Sequence, residues 1–85
     1  MCNTFRKKLG EQIKRLRIQK GLTQEEVSLE SGISRSHIAM IESGKRDITV
    51  SALFKISRAL GKTMKKFFEF DNLEKYTFDV EELYK

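Results

Sequence analysis

Apolar residues recur every three or four positions along most of this chain, which is the spacing of one face of an α-helix. The first stripe is formed by Phe5, Leu9, Ile13 and Leu16, and it predicts a helix that ends before Gly21. The same spacing returns in three later segments, and a further short segment has Leu22 and Val27 facing inward, so five helices are expected. The apolar positions of those segments are Leu22 and Val27, Ile38 and Ile41, Val50, Leu53, Ile56 and Leu60, and Met64, Phe67 and Phe68.

The ends of these helices are marked by residues that favour caps. Thr23 is followed three residues later by Glu26, which is the pattern of a capping box at the start of the second helix. Gly32 ends that helix after about two turns. The pattern predicts an all-α, five-helix domain over residues 1–70, with a helix-turn-helix at about residues 23–43. The later helices begin in a similar way, with Ser34, Thr49 and Thr63 in front of them.

Residues 71–85 follow a different pattern. Tyr76, Phe78 and Val80 alternate with polar residues, and this period of two favours an extended strand. A short helix or an irregular chain is the alternative. Because a single strand is not stable alone, we expect it to pair with another segment, such as its own copy in a second chain. We interpret these residues as an acidic, aromatic tail and a candidate dimerisation element.

Charge is divided unevenly along the chain. Residues 1–68 contain 15 Lys and Arg against 6 Asp and Glu, a net charge of +9, whereas residues 69–85 contain 2 against 6, a net charge of −4. The basic body indicates a polyanionic partner, and a merely solvated surface is the alternative interpretation.

Other function classes find little support in the residues. No apolar run approaches the roughly 18 residues needed to cross a bilayer, so no membrane association is expected. One cysteine and one histidine do not supply a nucleophile, a base and an orienting group, and metal-ligand spacings and a glycine-rich phosphate loop are missing from the sequence. The sequence therefore predicts a cytoplasmic protein that is not an enzyme and uses no cofactor and no metal.

Two short helices joined by Ser31, Gly32 and Ile33 are what a helix-turn-helix requires. The segments LGEQIKRLRIQKGLTQEEV, SGISRSHIAMIESGKRDITV and ALFKISRALG resemble the lambda-repressor-like, Cro/repressor (Xre) family over about 60 of the 85 residues. Ser28 is a mild departure, since the family often has alanine there. Within the family, the chain is similar to the short controller proteins of restriction–modification systems. The resemblance implies a homodimer that binds a palindromic operator in double-stranded DNA and regulates transcription.

The third helix would then read base edges in the major groove. Ile38 and Ile41 define its inward face, and the outward positions are small or uncharged, which lets the helix backbone approach the bases. Arg35, near the start of the helix, is expected to contact a guanine, with a phosphate contact as the alternative. Met40 could equally fill a gap in the core. The predicted base-reading residues are Arg35, Ser36, Ala39 and Met40.

Phosphate contacts are expected at helix starts and just after the third helix. The start of the second helix offers free N–H groups and the positive end of the helix dipole, and the resemblance assigns a phosphate contact to Gln24. Lys45 and Arg46 would reach the backbone from the following loop, whereas His37 is either a backbone contact or a bystander. The predicted phosphate-binding residues are Thr23, Gln24, Ser34, His37, Ser43, Lys45 and Arg46.

Two further sets of residues follow from the resemblance and from the apolar pattern. The resemblance implies an ion pair between Arg17 and Glu42 that orients the third helix, with two unrelated surface charges as the alternative. The last helix and the tail form the hypothetical dimer interface, because their exposed aromatic residues would otherwise make a large apolar patch. That interface comprises Met64, Phe67, Phe68, Tyr76 and Phe78.

Two rival functions stay open at this point. One is an antitoxin-type adaptor that binds a partner protein through its tail and regulates its own operon. The other is a nucleic-acid-binding protein without sequence preference, for which the basic body would suffice.

Overall fold

The computed structural model describes the backbone of residues 2–70 and the side chains of residues 5–70. Every regular element in this part of the chain is helical, which confirms the predicted all-α class. The elements are α1 (Cys2–Gln19), α2 (Gln24–Ser31), α3 (Arg35–Glu42), α4 (Val50–Leu60) and a 3-10 helix (Met64–Phe68).

The last of these elements corrects the sequence prediction, which expected a fifth α-helix after Thr63. The segment spans five residues, and its turns close between residues three apart: Lys66 N–H donates to Thr63 O at 3.1 Å, and Glu69 N–H donates to Lys66 O at 3.3 Å. Thr63 makes no side-chain cap. A segment this short has little length for the i to i−4 bonds of an α-helix, so the tighter 3-10 turn forms instead.

Local capping bonds define the helix-turn-helix as predicted. The Thr23 hydroxyl accepts from Glu26 N–H at 3.0 Å, and the Glu26 carboxylate accepts from Thr23 N–H at 2.8 Å, which completes the capping box. Gly32 ends α2 in the left-handed conformation, with φ of 79°, where a side chain would be strained. Ser34 caps α3 by accepting from His37 N–H at 3.2 Å.

The core lies where all five elements meet. Phe67, from the 3-10 helix, is its largest fully buried side chain. Val50 fits the apolar stripe predicted for α4, but it lies outside the core, because it is the first residue of the helix and is 75% exposed. The buried apolar residues are Leu9, Ile13, Leu16, Val27, Ile33, Ile38, Ile41, Ala52, Leu53, Ile56, Ala59, Leu60 and Phe67.

Two residues of α1 set its distance from the other elements. A Cβ at Gly10 would collide with the carbonyl oxygen of Ile41 and lie 2.9 Å from that of Glu42, so glycine lets α1 rest directly on the end of α3. The buried Gln12 amide donates to Lys66 O at 2.9 Å and to Glu69 O at 3.3 Å, which ties the 3-10 helix to α1. Neither role was predicted from the sequence.

Some sequence predictions fall outside the described part of the chain. These are the strand over residues 76–80, the dimerisation role of residues 71–85, and the interface roles of Tyr76 and Phe78. Among the helices that are described, none combines the length and the apolar character needed to cross a membrane.

Candidate nucleic-acid interface

Helix α3 has one buried face and one open face, and most of the predicted base-reading residues lie on the open one. Ile38 and Ile41 are buried, while Arg35 and Ser36 are exposed and Met40 is 38% exposed. Ala39 is half-buried. Because these side chains are short or flexible, nothing on the open face holds the helix backbone away from an approaching surface.

The start of α2 lies beside the start of α3. A cleft of about 640 Å³ is lined by Thr23 and Gln24 on one side and by Arg35 on the other. The first N–H groups of a helix have no acceptor within the helix, so this end can donate to an anion. Glu25 and Glu26 lie in the same turn and oppose that attraction in part.

Glu42 is the centre of a buried hydrogen-bond network that fixes α3. Arg17 donates to both of its carboxylate oxygens, from Nε to Oε2 at 2.7 Å and from Nη2 to Oε1 at 3.0 Å. The remaining Arg17 nitrogen donates to Leu22 O at 2.7 Å. The side chains of the pair are only 10% and 3% exposed, so the ion pair implied by the resemblance is present and desolvated. It fastens the end of α3 to α1.

Gln24 is also part of this network, which the sequence did not predict. Its side-chain amide donates to Glu42 Oε1 at 3.0 Å, so the residue expected to contact phosphate also bridges α2 to α3. One amide hydrogen is engaged by the carboxylate, and the other stays free to donate. Eighteen positions separate the two residues in the chain, and no local pattern connects them.

Other predicted phosphate-binding residues lie at the two ends of α3. Ser34 is exposed at the start and uses its oxygen as a cap, while His37 is half-buried one turn further on. At the far end, the Ser43 hydroxyl donates to Met40 O at 3.1 Å. Lys45 and Arg46 follow as exposed side chains.

A cationic cleft at the far end of α3 was not predicted. Its volume is about 730 Å³, and it lies where the first turns of α1 meet the loop after α3. Arg6 Nε donates to Gly44 O at 3.0 Å and joins the two segments. The run of three cations in α1 was the available signal in the sequence. The lining residues are Arg6, Lys7, Lys8, Glu11, Ser43, Gly44 and Lys45.

The structure shows which residues of the predicted dimer interface are accessible. Phe67 is 0% exposed, so within this fold it is unavailable to a second chain, whereas Met64 and Phe68 are half-buried. An exposed apolar surface lies on α4 instead, where Val50 is 75% and Phe54 50% exposed. The Arg58 guanidinium lies 6.0 Å from the centre of the Phe54 ring. Phe54 lies outside the inward stripe of α4, and an aromatic residue in that position could have indicated this surface.

The chain is similar to several known proteins. The helix-turn-helix family model matches residues 13–67 of the chain. An HTH-type transcriptional regulator of Sinorhizobium fredii, y4dJ, is 46% identical over 57 residues, which is 67% of this chain and 74% of that protein. The control protein C.BamHI of Bacillus amyloliquefaciens is 31% identical over 74 residues, which is 86% of this chain and 91% of that protein.

Solved structures of controller proteins are also similar to this chain. The restriction–modification controller protein C.AhdI from Aeromonas hydrophila has a TM-score of 0.75 and 31% identity, over 76% of this chain and 98% of that chain. The C.Esp1396I controller protein, crystallised as a tetramer with its natural 35 base-pair operator, has a TM-score of 0.69 and 35% identity, over 81% of this chain and 88% of that chain. This chain therefore belongs to the helix-turn-helix family of DNA-binding transcriptional regulators.

Proposed function

We propose that this protein is a sequence-specific DNA-binding transcription regulator that acts as a homodimer on a palindromic operator. Each subunit inserts α3 into a major groove, and the two half-sites lie about one helical turn, roughly 34 Å, apart. The observation that carries the proposal is the open, small-residue face of α3, which the buried Arg17–Glu42 pair holds in a fixed orientation. A helix that is anchored in this way and has short side chains on its open face can approach base edges closely.

Base reading is assigned to the open face of α3. Arg35 is exposed and has no ion pair or hydrogen bond within residues 5–70, so its guanidinium is available for a bidentate contact to guanine. Ser36 reaches a base edge with its hydroxyl. Ala39 and Met40 meet thymine methyl groups.

Phosphate binding is assigned to both ends of α3 and to the start of α2. Thr23 and Gln24 offer a hydroxyl hydrogen and a free amide hydrogen beside the first N–H groups of α2. These contacts position α3 without reading sequence, so they make binding fall with salt. The remaining members of the set are Ser34, His37, Ser43, Lys45 and Arg46.

The homodimer is assigned to the apolar surface at the C-terminal side of the domain. Val50 and Phe54 of α4 are exposed apolar residues there, and Met64 and Phe68 are half-buried nearby in the chain. The structurally similar C.Esp1396I forms an assembly of several copies on its operator. Tyr76 and Phe78, outside the described residues, complete the proposed interface.

Selection of bound sequences from a random duplex pool tests the function directly. We expect an enriched palindrome whose two halves are about one helical turn apart. A pool that binds but enriches no motif would mean that the basic body binds DNA without reading it. A pool that is not retained at all would contradict DNA binding and with it the proposed function.

Sedimentation tests the dimer. The Phe54→Glu variant is expected to sediment as a monomer, because a charge would be placed in an apolar interface. Leu29→Glu is the matched control, since Leu29 is 79% exposed on α2 and lies outside the proposed interface. If both variants remain dimers, the interface does not include Phe54.

The same proposal places the protein in the cytoplasm, where the DNA lies, and requires no cofactor or metal. The described residues contain no group of His, Cys, Asp and Glu able to hold a metal ion. No observation within residues 2–70 favours the adaptor over the regulator.

A further inference from the structure

The cationic cleft at the far end of α3 contains more cations than carboxylates. Four cations, Arg6, Lys7, Lys8 and Lys45, line it against a single carboxylate, Glu11. Two of them have partners: Arg6 lies 3.5 Å from the Asp47 carboxylate, and Lys8 lies 3.7 Å from Glu11. Lys7 and Lys45 have no ion pair within residues 5–70. A site with this charge attracts an anion.

The backbone brings Lys7 and Lys45 to the same cleft. Gly44 has a φ of 77°, and a Cβ there would lie only 2.8 Å from Lys7 Cα. The bond from Arg6 Nε to Gly44 O, at 3.0 Å, keeps α1 at this distance. Gly44 also precedes Lys45, so the two free ammonium groups come from segments that are packed together. Their proximity is therefore built into the fold.

The cleft and the start of α2 lie at opposite ends of α3. An eight-residue helix such as α3 is about 12 Å long, and the major groove is about 12 Å wide. The start of α2 lies beside Arg35, at one end of α3, and the cleft lies just beyond Glu42, at the other end. A helix in the groove would thus have donors at both of its ends, about 12 Å apart, within reach of the phosphates that border the groove.

We propose that the cationic cleft binds a DNA phosphate through Lys7 and Lys45, on the strand across the major groove from the one held by the start of α2. This inference rests on the proposed function and extends it to α1. The ligand is a phosphodiester anion, and the contact adds affinity without adding sequence preference. It makes α1 part of the DNA-binding surface as well as a scaffold for α3.

The first test is the salt dependence of binding by the Lys7→Gln variant. One lost phosphate contact lowers the slope of log affinity against log salt by about 0.9. Between 50 and 200 mM salt, the affinity advantage of the unchanged protein should therefore shrink about 3.5-fold. Selected and random duplexes should show the same change, because a phosphate contact is independent of sequence.

Lys62→Gln is the matched control for this test. Lys62 is exposed and follows Gly61, where a Cβ would lie 3.0 Å from Lys20 Nζ. That end of α1 is about 20 Å from Lys7 along the helix. The control removes the same charge, and we expect its salt slope to equal that of the unchanged protein. Equal slopes for both lysine variants would show only a general charge effect and would overturn the proposal.

The second test asks whether Lys7 acts on one particular phosphate. Single methylphosphonate substitutions, each of which removes one phosphate charge, are scanned along the selected duplex. At one position the loss of affinity should be smaller for Lys7→Gln than for the unchanged protein, because only Lys45 still holds that phosphate in the variant. Losses that add at every position would overturn the proposal. Thermal denaturation followed by circular dichroism is expected to give the same midpoint for the variant and the unchanged protein.

Failure of the cleft and failure of the function give different results. If Lys7→Gln behaves like the control while the selection still enriches a palindrome, the cleft does not bind phosphate and the regulator proposal stands. If the unchanged protein shows no salt-dependent binding to any duplex, the proposed function itself fails.

Discussion

Helices α1 and α3 both bury an apolar stripe in the same core, but their outer faces are opposite in character. The exposed positions of α1 include Lys8, Lys14 and Arg15, whereas those of α3 include Ser36 and Met40. Charge on α1 can attract a polyanion from a distance, and the bare face of α3 can approach it closely. The comparison teaches that charge and close approach are separated onto two helices.

The separation works only if the two helices are held together, and two contacts do this. The buried Arg17–Glu42 pair joins them side chain to side chain, and the missing side chain of Gly10 allows their backbones to touch. Both contacts lie at the end of α3. The start of α3 is thereby left open beside α2, where Arg35 lies.

Breaking the ion pair should have the largest effect. Glu42→Ala leaves the Arg17 charge buried without its partner, and we expect it to lower the free energy of unfolding by about 3–5 kcal/mol. Urea denaturation measures the change. Glu11→Ala is the control, because its pair with Lys8 is about half exposed and contributes less than about 1 kcal/mol. Similar losses in the two variants would mean that burial of the Glu42 pair has no special importance.

Forcing the helices apart should have the next largest effect. In Gly10→Ala the new methyl group would meet the Ile41 carbonyl, so we expect a loss of about 1–3 kcal/mol in stability. This loss would occur although alanine favours an isolated helix over glycine by about 1 kcal/mol. Thermal unfolding gives the sign of the change. A more stable variant would show that α1 and α3 are not in the described close contact.

Removing the cation from α3 should separate reading from attraction. Arg35→Ala is expected to reduce discrimination between the selected site and a site with the contacted base changed, by about 1–3 kcal/mol. Stability should change by less than about 0.5 kcal/mol, because Arg35 is exposed. Binding to both duplexes is measured by fluorescence anisotropy. A uniform loss on both would assign Arg35 to a phosphate.

Making α3 resemble α1 should have the smallest effect. Ser36→Lys adds a cation to the open face, so the salt slope for a random duplex should steepen by about 0.9 while preference for the selected site falls. Anisotropy titrations at two salt concentrations check this. Lys14→Ser on α1 is the reciprocal change and should leave the preference unaltered. If Ser36→Lys also leaves it unaltered, the bare face of α3 is not what reads the bases.

Much of the helix-turn-helix could be predicted because its signals are local. The Thr23–Glu26 capping box and the Ser34 cap join residues three positions apart, so they can be recognised in the sequence. Gly32 ends α2 for an equally local reason, since it adopts a backbone conformation that other residues avoid. Charge density could also be counted directly. These features led to the helix-turn-helix, the spacing of Ile38 and Ile41 led to the inward face of α3, and the resemblance of whole segments led to the family.

The incorrect predictions for single apolar residues had a different cause. Val50 fits the apolar period of α4 but lies at its first position, beyond the reach of the core, and Phe67 fits an interface but is buried. Periodicity identifies one side of a helix and does not say what covers that side. The 3-10 helix was missed because apolar spacing alone does not show that a five-residue segment is too short for an α-helix.

The sequence by itself determined the four α-helices, the caps of α2, α3 and α4, the turn and the basic character of the body, because each depends on residues a few positions apart or on composition. Only the tertiary structure decided that Gln24 shares Glu42 with Arg17, that Gly10 sets the distance between α1 and α3, and that Lys7 and Lys45 line one cleft. These contacts join residues 18 to 38 positions apart, where no spacing rule applies. They depend on how whole helices pack, and that packing is what turns a basic chain into a surface able to grip and read DNA.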